Sequence, residues 1–209
     1  NDNKEENMKT KKFTTSQLTI LGLMAGILFL MAYTPLGYLN IGPLAVTFNV
    51  IPVAVCAIVL GPTGGAIAGA VFGLTSFMQA IGIGGVSALG SALFQINPFM
   101  TAVQCFGPRI LDGICIGFIY RAVHKKANTY VSCAVTGFFS AFLNTLFFMT
   151  ALIVMFGNTE LIRNLMGGHN IIVGCCLMVG VNAISEMVSS TIITAAVGTA
   201  LSKAHLIPA

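Results

Sequence analysis

The stretch FNVIPVAVCAIVLGPTGGAIAGAVFGLTSF, residues 48–77, carries no charge and is interrupted only by Gly-Pro-Thr-Gly-Gly at 61–65. Proline and glycine break or bend helices, and apolar residues continue on both sides of this interruption. A membrane-spanning helix needs about 20 mostly apolar residues. The stretch therefore predicts two consecutive spanning helices that are joined by a tight turn.

The composition of the whole chain agrees with this prediction. Of its 209 residues, 56% are hydrophobic and 8% are charged, whereas a soluble domain carries about 25% charged residues. A β-barrel would show roughly ten-residue segments of alternating polarity, and the apolar runs here are longer and more uniform. We expect an all-α integral membrane protein without a separate soluble domain.

Six apolar runs predict a six-transmembrane-helix bundle, with spans at 16–34, 44–60, 65–82, 107–122, 131–156 and 171–201. The bundle is assigned to residues 13–203, and the polar residues 1–12 are expected to be disordered. No cleavage site follows the first apolar run, so it is interpreted as a mature helix. The connector 83–106 is too polar for a span and too apolar for a solvated loop. It is expected to be partly helical and to cap or enter the bundle.

Basic residues predict the orientation, because cytoplasmic loops are enriched in Lys and Arg. A cytoplasmic N-terminus places eight basic residues inside: Lys4, Lys9, Lys11, Lys12, Arg121, Lys125, Lys126 and Lys203. Only Arg109 and Arg163 then lie outside. Both termini are therefore predicted to be cytoplasmic, and the longer loops that wall an outward-facing pocket are predicted to be external.

Glycines recur at every fourth position in three of the predicted helices. They occur at Gly65, Gly69 and Gly73, at Gly113 and Gly117, and at Gly22 and Gly26. Each set lines one helix face and permits close approach of another helix. The partner helix belongs either to this chain or to another membrane subunit. The second interpretation suits Gly22 and Gly26 best, because the first helix of a small bundle is usually peripheral.

Several polar side chains fall within or beside the spans, where an ionisable group is costly unless it is paired or hydrated. Arg109 and Asp112 share one helical face, as do Asn182 and Glu186 on the last helix. Similar depth is expected for three amide side chains: Asn144, Gln95 and Asn97. Two interpretations remain open. Arg109 forms an internal ion pair with Asp112 or Glu186, or the polar groups line an outward-facing cavity for a small hydrophilic solute.

Other residue types add less to the candidate site. Tyr38 and Asn40 on an outer loop, and Phe72 and Phe77 near the outer half, are candidates for ligand contact. The six cysteines form no CxxC pair and are interpreted as small core residues: Cys56, Cys105, Cys115, Cys133, Cys175 and Cys176. The lone loop histidine His169 is interpreted as incidental. No metal site, cofactor or nucleic-acid partner is predicted.

Enzyme classes that work within membranes are disfavoured. An intramembrane aspartyl protease needs two aspartates, and Asp112 is the one aspartate within the predicted bundle. A rhomboid-type protease needs a Ser–His pair within spans, yet the three histidines fall outside them. The turn at 60–65 lacks the Lys-Ser/Thr pair of a phosphate-binding loop. The remaining classes are a solute-binding transporter subunit, a structural subunit and a stand-alone channel or carrier.

The run 48–77 resembles the second and third helices of the substrate-binding S components of energy-coupling factor (ECF) transporters. It shares their pattern of Ile-Pro, an apolar stretch, Gly-Pro and glycines at every fourth position. The resemblance extends to PRILDGICIGFIYR at 108–121 and to the Asn-x-x-x-Glu pattern of the last helix, and covers roughly 13–201. YTPLGYLNIGPLAVTFNVIPV, residues 33–53, is most similar to the pantothenate-specific branch.

This resemblance implies a function and a set of partners. It implies a subunit of the bacterial cell membrane that captures a small water-soluble vitamin on the outer side and topples to release it inward. The implied partners are a membrane-embedded T subunit and two cytoplasmic ATPases. The family's first helix carries an Ala-x-x-x-Ala docking motif, and Gly22 and Gly26 occupy those places. Arg109 suits the carboxylate of pantothenate, while riboflavin, folate or a pyridoxine-like vitamin remain alternatives.

Overall fold

The computed structural model describes residues 14–34, 38–40, 45–85, 87–165 and 171–207, with only the backbone at 38–40, 45, 46, 171–179 and 181. The expected disordered segment 1–12 lies outside the described residues. Within them the chain forms seven helices and two short strands: α1 (Thr15–Ala32), β1 (Tyr38–Asn40), β2 (Ala45–Thr47), α2 (Val50–Ala80), α3 (Ala88–Ile96), α4 (Pro98–His124), α5 (Thr129–Phe156), α6 (Glu160–Leu165) and α7 (Ile171–Lys203).

Helix α2 lies at the centre of the bundle and bends at the predicted turn. Gly61 has φ 73° and ψ −163°, a conformation that strongly favours glycine, and Pro62 follows it. The predicted spans 44–60 and 65–82 are therefore two limbs of one bent element. The predicted start at residue 44 is wrong, because residues 45–47 form strand β2 and the helix begins at Val50.

The connector 83–106 is largely helical, as expected, but the predicted start of the fourth span is wrong. Ser87 caps α3 by accepting a hydrogen bond from the Gly90 N–H. Asn97 caps α4 by accepting from the Met100 N–H, and Pro98 occupies the first turn. Helix α4 therefore starts at residue 98 instead of 107, and Pro108 within it does not end it.

The two strands form an antiparallel hairpin that leads from α1 into α2. Tyr38 pairs with Thr47 and Asn40 pairs with Ala45. The hairpin lies against α7, which positions a segment that connects two helices inside the bundle. The predicted fifth and sixth spans agree with α5 and α7 to within a few residues.

Five of the described helices are long and apolar enough to cross a membrane: α1, α2, α4, α5 and the part of α7 from Asn182 to Lys203. Helix α2 is buried along most of its length, whereas α1 is buried only at Leu28 and Ala32. The bundle is therefore built around α2, with α1 at its periphery.

A seam of glycines brings the backbones of α2 and α4 into direct contact. A Cβ atom at Gly65 would meet the carbonyl of Gly113, and one at Gly69 would meet the carbonyl of Arg109. Gly73 faces the carbonyl of Cys105 in the same way, and Gly117 packs against Pro62. The predicted glycine faces of these two helices thus serve packing within the chain. We call these four contacts the glycine seam.

We expect Gly113→Ala to destabilise the bundle by about 1–3 kcal/mol, because the new methyl group overlaps the Gly65 carbonyl and must separate α2 from α4. Gly107→Ala on the same helix is the matched control, since no described atom lies within 4 Å of a Cβ at that position. Thermal unfolding of the purified variants measures both effects. Equal melting temperatures for the two variants would contradict the proposed role of the seam.

Candidate functional site

Polar side chains from α4, α5 and α7, together with the residue before α2, lie near the middle of the bundle. Asp112, Asn144 and Glu186 each stand near the midpoint of their own helix. Most members of this set are almost fully buried, and Arg109 is partly buried. We call the set the buried polar layer: Asn49, Arg109, Asp112, Ser140, Asn144, Asn182 and Glu186.

Arg109 is held between two aromatic rings. Its Cζ atom lies 4.7 Å from the ring centroid of Phe72 on α2 and 5.5 Å from that of Phe148 on α5. Its Nη1 atom donates to the carbonyls of Gln104 at 3.2 Å and Cys105 at 3.0 Å. The Nε–H is buried and has no hydrogen-bond partner among the described residues. The guanidinium is thus positioned by stacking and by its own helix, and retains donor capacity.

Glu186 connects α7 to the hairpin. Its Oε1 atom accepts a hydrogen bond from the backbone N–H of Thr47 at 2.6 Å. Thr47 Oγ1 in turn accepts from the N–H of Asn49, the residue before α2. Glu186 therefore fixes where the hairpin enters the bundle.

Asp112 interacts with α5 instead of forming an ion pair. Its carboxyl group interacts with the hydroxyl of Ser140, and that hydroxyl donates to the carbonyl of Val50 at 3.3 Å. Arg109 is near enough to act electrostatically on both Asp112 and Glu186. Within the described part of the chain, however, the guanidinium makes ion-pair contact with neither carboxylate. The interpretation as a purely structural ion pair is therefore not supported.

The other predicted site residues have different environments. Phe72 is buried beneath Arg109, and Phe77 packs edge-on against Phe94 with centroids 6.0 Å apart. Asn97 is occupied as the cap of α4, and Gln95 is exposed on α3. Tyr38 and Asn40 lie on β1, and their side chains lie outside the described residues, as does His169. Ligand contact by these residues stays a prediction.

Sequence reasoning missed two buried amides. Asn49 is fully buried, and neither its Nδ2 nor its Oδ1 atom has a hydrogen-bond partner in the described structure. Gln104 is 1% exposed and donates to the Phe148 carbonyl at 2.9 Å. An available signal was their position as single amides within apolar runs, FNVIP and AVQCF. Gln104 lies in the connector 83–106, outside the predicted spans, whereas Asn49 lies inside the predicted span 44–60 and was not among the predicted site residues.

An apolar cavity of about 570 Å³ lies between α1, α2 and α7. Met24, Met31, Ile51, Val55 and Ile193 are among the residues that line it. A hydrophilic solute would lose its hydrogen bonds to water there without gaining others. The buried polar layer is therefore the better candidate for a solute site.

The predictions for the cysteines and for the pair Gly22 and Gly26 have different outcomes. The cysteines Cys56, Cys105 and Cys133 are buried free thiols, as expected. Gly22 and Gly26 on α1 are exposed, and no described atom comes within 4 Å of a Cβ at either position. This pair therefore does not serve helix packing within the described chain, in contrast to the glycine seam.

Comparisons with known proteins cover most of the chain. A family model described as ECF transporter, substrate-specific component, matches residues 16–198. The pantothenate transporter PanT of Leuconostoc mesenteroides subsp. mesenteroides is 32% identical over 197 residues, covering 90% of this chain and 92% of that relative. The pantothenic acid transporter PanT of Lactococcus lactis subsp. cremoris is 28% identical over 208 residues, covering 93% of this chain and 98% of that protein.

We expect Glu186→Ala to loosen the hairpin, because the Thr47 N–H loses a charged acceptor in a buried setting, at a cost of about 1.5–3 kcal/mol. The matched control is Glu160→Ala, which removes an exposed carboxylate from α6. Thermal unfolding and limited proteolysis at residues 35–47 measure the effect. A variant with unchanged melting temperature and unchanged cleavage would contradict the assigned role of Glu186.

Proposed function

The chain belongs to the family of substrate-specific S components of ECF transporters, and on this premise we propose that it binds pantothenate in the buried polar layer. It is a multi-pass membrane protein and not an enzyme. The names of the two PanT relatives support pantothenate as the substrate. The structural feature that supports it most is the guanidinium of Arg109 between Phe72 and Phe148.

The carboxylate of pantothenate is the group that Arg109 recognises. A guanidinium offers planar, paired donors that fit a carboxylate, and such charged hydrogen bonds are strong where water is excluded. The unpartnered Nε–H of Arg109 is the donor that the bound carboxylate engages. Phe72 and Phe148 keep the guanidinium plane fixed, which reduces the entropy lost on binding.

The rest of the ligand is an amide with hydroxyl groups, and the buried polar layer offers matching groups. Asn144 Oδ1 has no hydrogen-bond partner among the described residues. Glu186 retains acceptor capacity beyond the Thr47 N–H, and Asn182 stands one turn away on α7. A large flat ring such as that of riboflavin would require an aromatic platform. The absence of tryptophan from the chain favours the smaller, flexible vitamin.

As an S component, the bundle is proposed to cross the membrane six times. The limb Val50–Leu60 of α2 is about 16 Å long, and the three strand residues 45–47 add about 3.3 Å each. Together they give about 26 Å, close to the roughly 30 Å of the hydrocarbon core. Counting the two limbs of α2 separately gives six spans. Both termini are then cytoplasmic and the polar layer opens outward, in the bacterial plasma membrane.

Import requires partners, because the chain has no nucleotide-binding motif. We assign docking on the membrane-embedded T subunit to the exposed face of α1 at Gly22 and Gly26, where another helix can approach closely. Two ATPases on the cytoplasmic side supply the energy. Toppling of the loaded S component against the T subunit then delivers the vitamin inward.

Arg109→Ala should weaken pantothenate binding about 30-fold or more, because it removes a charged hydrogen-bond partner from a buried site. Binding of the corresponding neutral alcohol, in which a hydroxymethyl group replaces the carboxylate, should change far less. Isothermal titration calorimetry of the purified protein in detergent measures both affinities. Arg163→Ala, which removes an exposed arginine on α6, is the control.

Equal losses for the acid and the alcohol would refute the assignment of Arg109 to the carboxylate. A panel with riboflavin, folate and pyridoxine tests the substrate class itself. Tight binding of one of these, with no binding of pantothenate, would replace pantothenate as the substrate while retaining the S-component function.

Gly26→Leu should leave pantothenate affinity unchanged and abolish uptake in cells that contain the T subunit and ATPases, because the leucine prevents close helix contact. Thr150→Leu, on an exposed position of α5, is the control for added bulk on the outer surface of the bundle. Radiolabelled uptake and calorimetry give the two readouts. Normal uptake by Gly26→Leu would show that α1 docks elsewhere.

A further inference from the structure

The buried polar layer contains two carboxyl groups and one guanidinium. Among the charged side chains that the structure describes, Asp112 and Glu186 are 2% and 5% exposed, and Arg109 is the cation that acts on both. The layer thus has one carboxyl group more than it has cations. If the proposed function is right, the vitamin adds another. Charges within a membrane are costly unless they are paired or bind an ion.

Among the described residues, Asp112 is the carboxyl group with a buried, unpartnered oxygen atom. Glu186 accepts a hydrogen bond from the Thr47 N–H. Arg109 directs Nη1 to carbonyls on the N-terminal side of its own helix, away from Asp112. Asp112 itself has the Ser140 hydroxyl, and its Oδ1 atom lacks a hydrogen-bond partner within the described ranges.

Uncharged oxygen atoms from α5 and from the start of α2 belong to the same buried layer as Asp112. Ser140 contacts both Asp112 and the carbonyl of Val50, which places the start of α2 beside α4 and α5. Asn49 directly precedes Val50 and is fully buried with its Oδ1 free of described partners. Asn144 stands one turn from Ser140 and is 7% exposed, with its Oδ1 likewise unpartnered in the described chain.

We propose that Asp112, Asn49, Asn144 and the Val50 carbonyl bind an alkali cation at the centre of the bundle. Carboxylate, amide and carbonyl oxygens are the ligands that hard cations prefer, and interrupted backbone at mid-membrane depth is a known setting for Na⁺. The described residues contain no group of three His, Cys, Asp or Glu side chains, so the ligand set does not suit a transition metal.

The cation makes the unliganded layer neutral. It also connects α2, α4 and α5 around the floor of the proposed vitamin site. This link to the vitamin depends on the proposed function, whereas the cation site itself does not. Because an ion and an anionic ligand at neighbouring sites stabilise each other reciprocally, the cation should increase pantothenate affinity about tenfold.

The test replaces NaCl or KCl stepwise by choline chloride at constant ionic strength, and follows Tm of the purified full chain without vitamin. The alkali cation should raise Tm of the wild-type protein, because a ligand that binds only the folded state stabilises it. Asp112→Asn should lose this increment, because it removes the carboxylate of the proposed site.

Glu160→Gln, which neutralises an exposed carboxylate, should keep the full increment. Asn144→Val, which removes one oxygen and retains Asp112, should reduce it and keeps the test informative if Asp112→Asn does not fold. A Tm that is equal in choline, sodium and potassium would overturn the proposal. So would an increment that Asp112→Asn and Asn144→Val both retain.

Vitamin binding is measured separately in the same salts. Absence of pantothenate binding in every salt, together with a normal Na⁺ increment in Tm, would reject the proposed function and leave the cation site standing. Tight pantothenate binding that does not depend on the alkali cation, together with no increase in Tm on addition of the cation, would reject the cation site and retain the proposed function.

Discussion

The contact between the backbones of α2 and α4 is the constraint on which the rest of the structure depends. Membrane helices gain little from hydrophobic burial against each other, so they associate through close packing and polar contacts. Gly69 faces the carbonyl of Arg109, and Phe72, one turn further along α2, lies under its guanidinium. The glycine seam therefore fixes both the backbone and the side chain of the residue that we assign to the vitamin's carboxylate.

The second constraint is the cost of charge inside the bundle, and the fold meets it in three ways. Arg109 is covered by aromatic faces and helix carbonyls, Glu186 accepts the Thr47 N–H, and Asp112 interacts with the Ser140 hydroxyl. Each solution also ties one element to another. Helix α4 is tied to α5, and the hairpin is tied to α7, so the polar groups to which we assign binding also hold the bundle together.

Much of this arrangement could be predicted from the sequence. The scarcity of charge identified a membrane protein, and glycines at every fourth residue identified the α2–α4 contact. Helix ends were harder, because Asn97 and Pro98 begin α4 within a segment that averages too polar for a span. Hydropathy also placed the hairpin residues 45–47 in a helix. Extended apolar chain buried inside a bundle has the same composition as a buried helix.

The residue types of the candidate site could be predicted from the sequence, whereas the contacts of these residues could not. Arg109, Asn144, Asn182 and Glu186 were found because polar groups in apolar spans are rare. The hydrogen-bond partners of these residues could not be predicted, because composition does not reveal contacts with a carbonyl of the same helix or with a backbone N–H of a distant strand. Asn49 was missed for a related reason. It lies where the chain changes from strand to helix, and only the fold shows that this point is buried.

An experimental structure of the pantothenate-loaded protein tests the central claim most directly. The account predicts that the carboxylate lies within hydrogen-bond distance of the Arg109 guanidinium, between Phe72 and Phe148, with Gly69 still against the Arg109 carbonyl. A loaded structure in which Arg109 binds only the carbonyls of Gln104 and Cys105, and the carboxylate lies elsewhere, would contradict it.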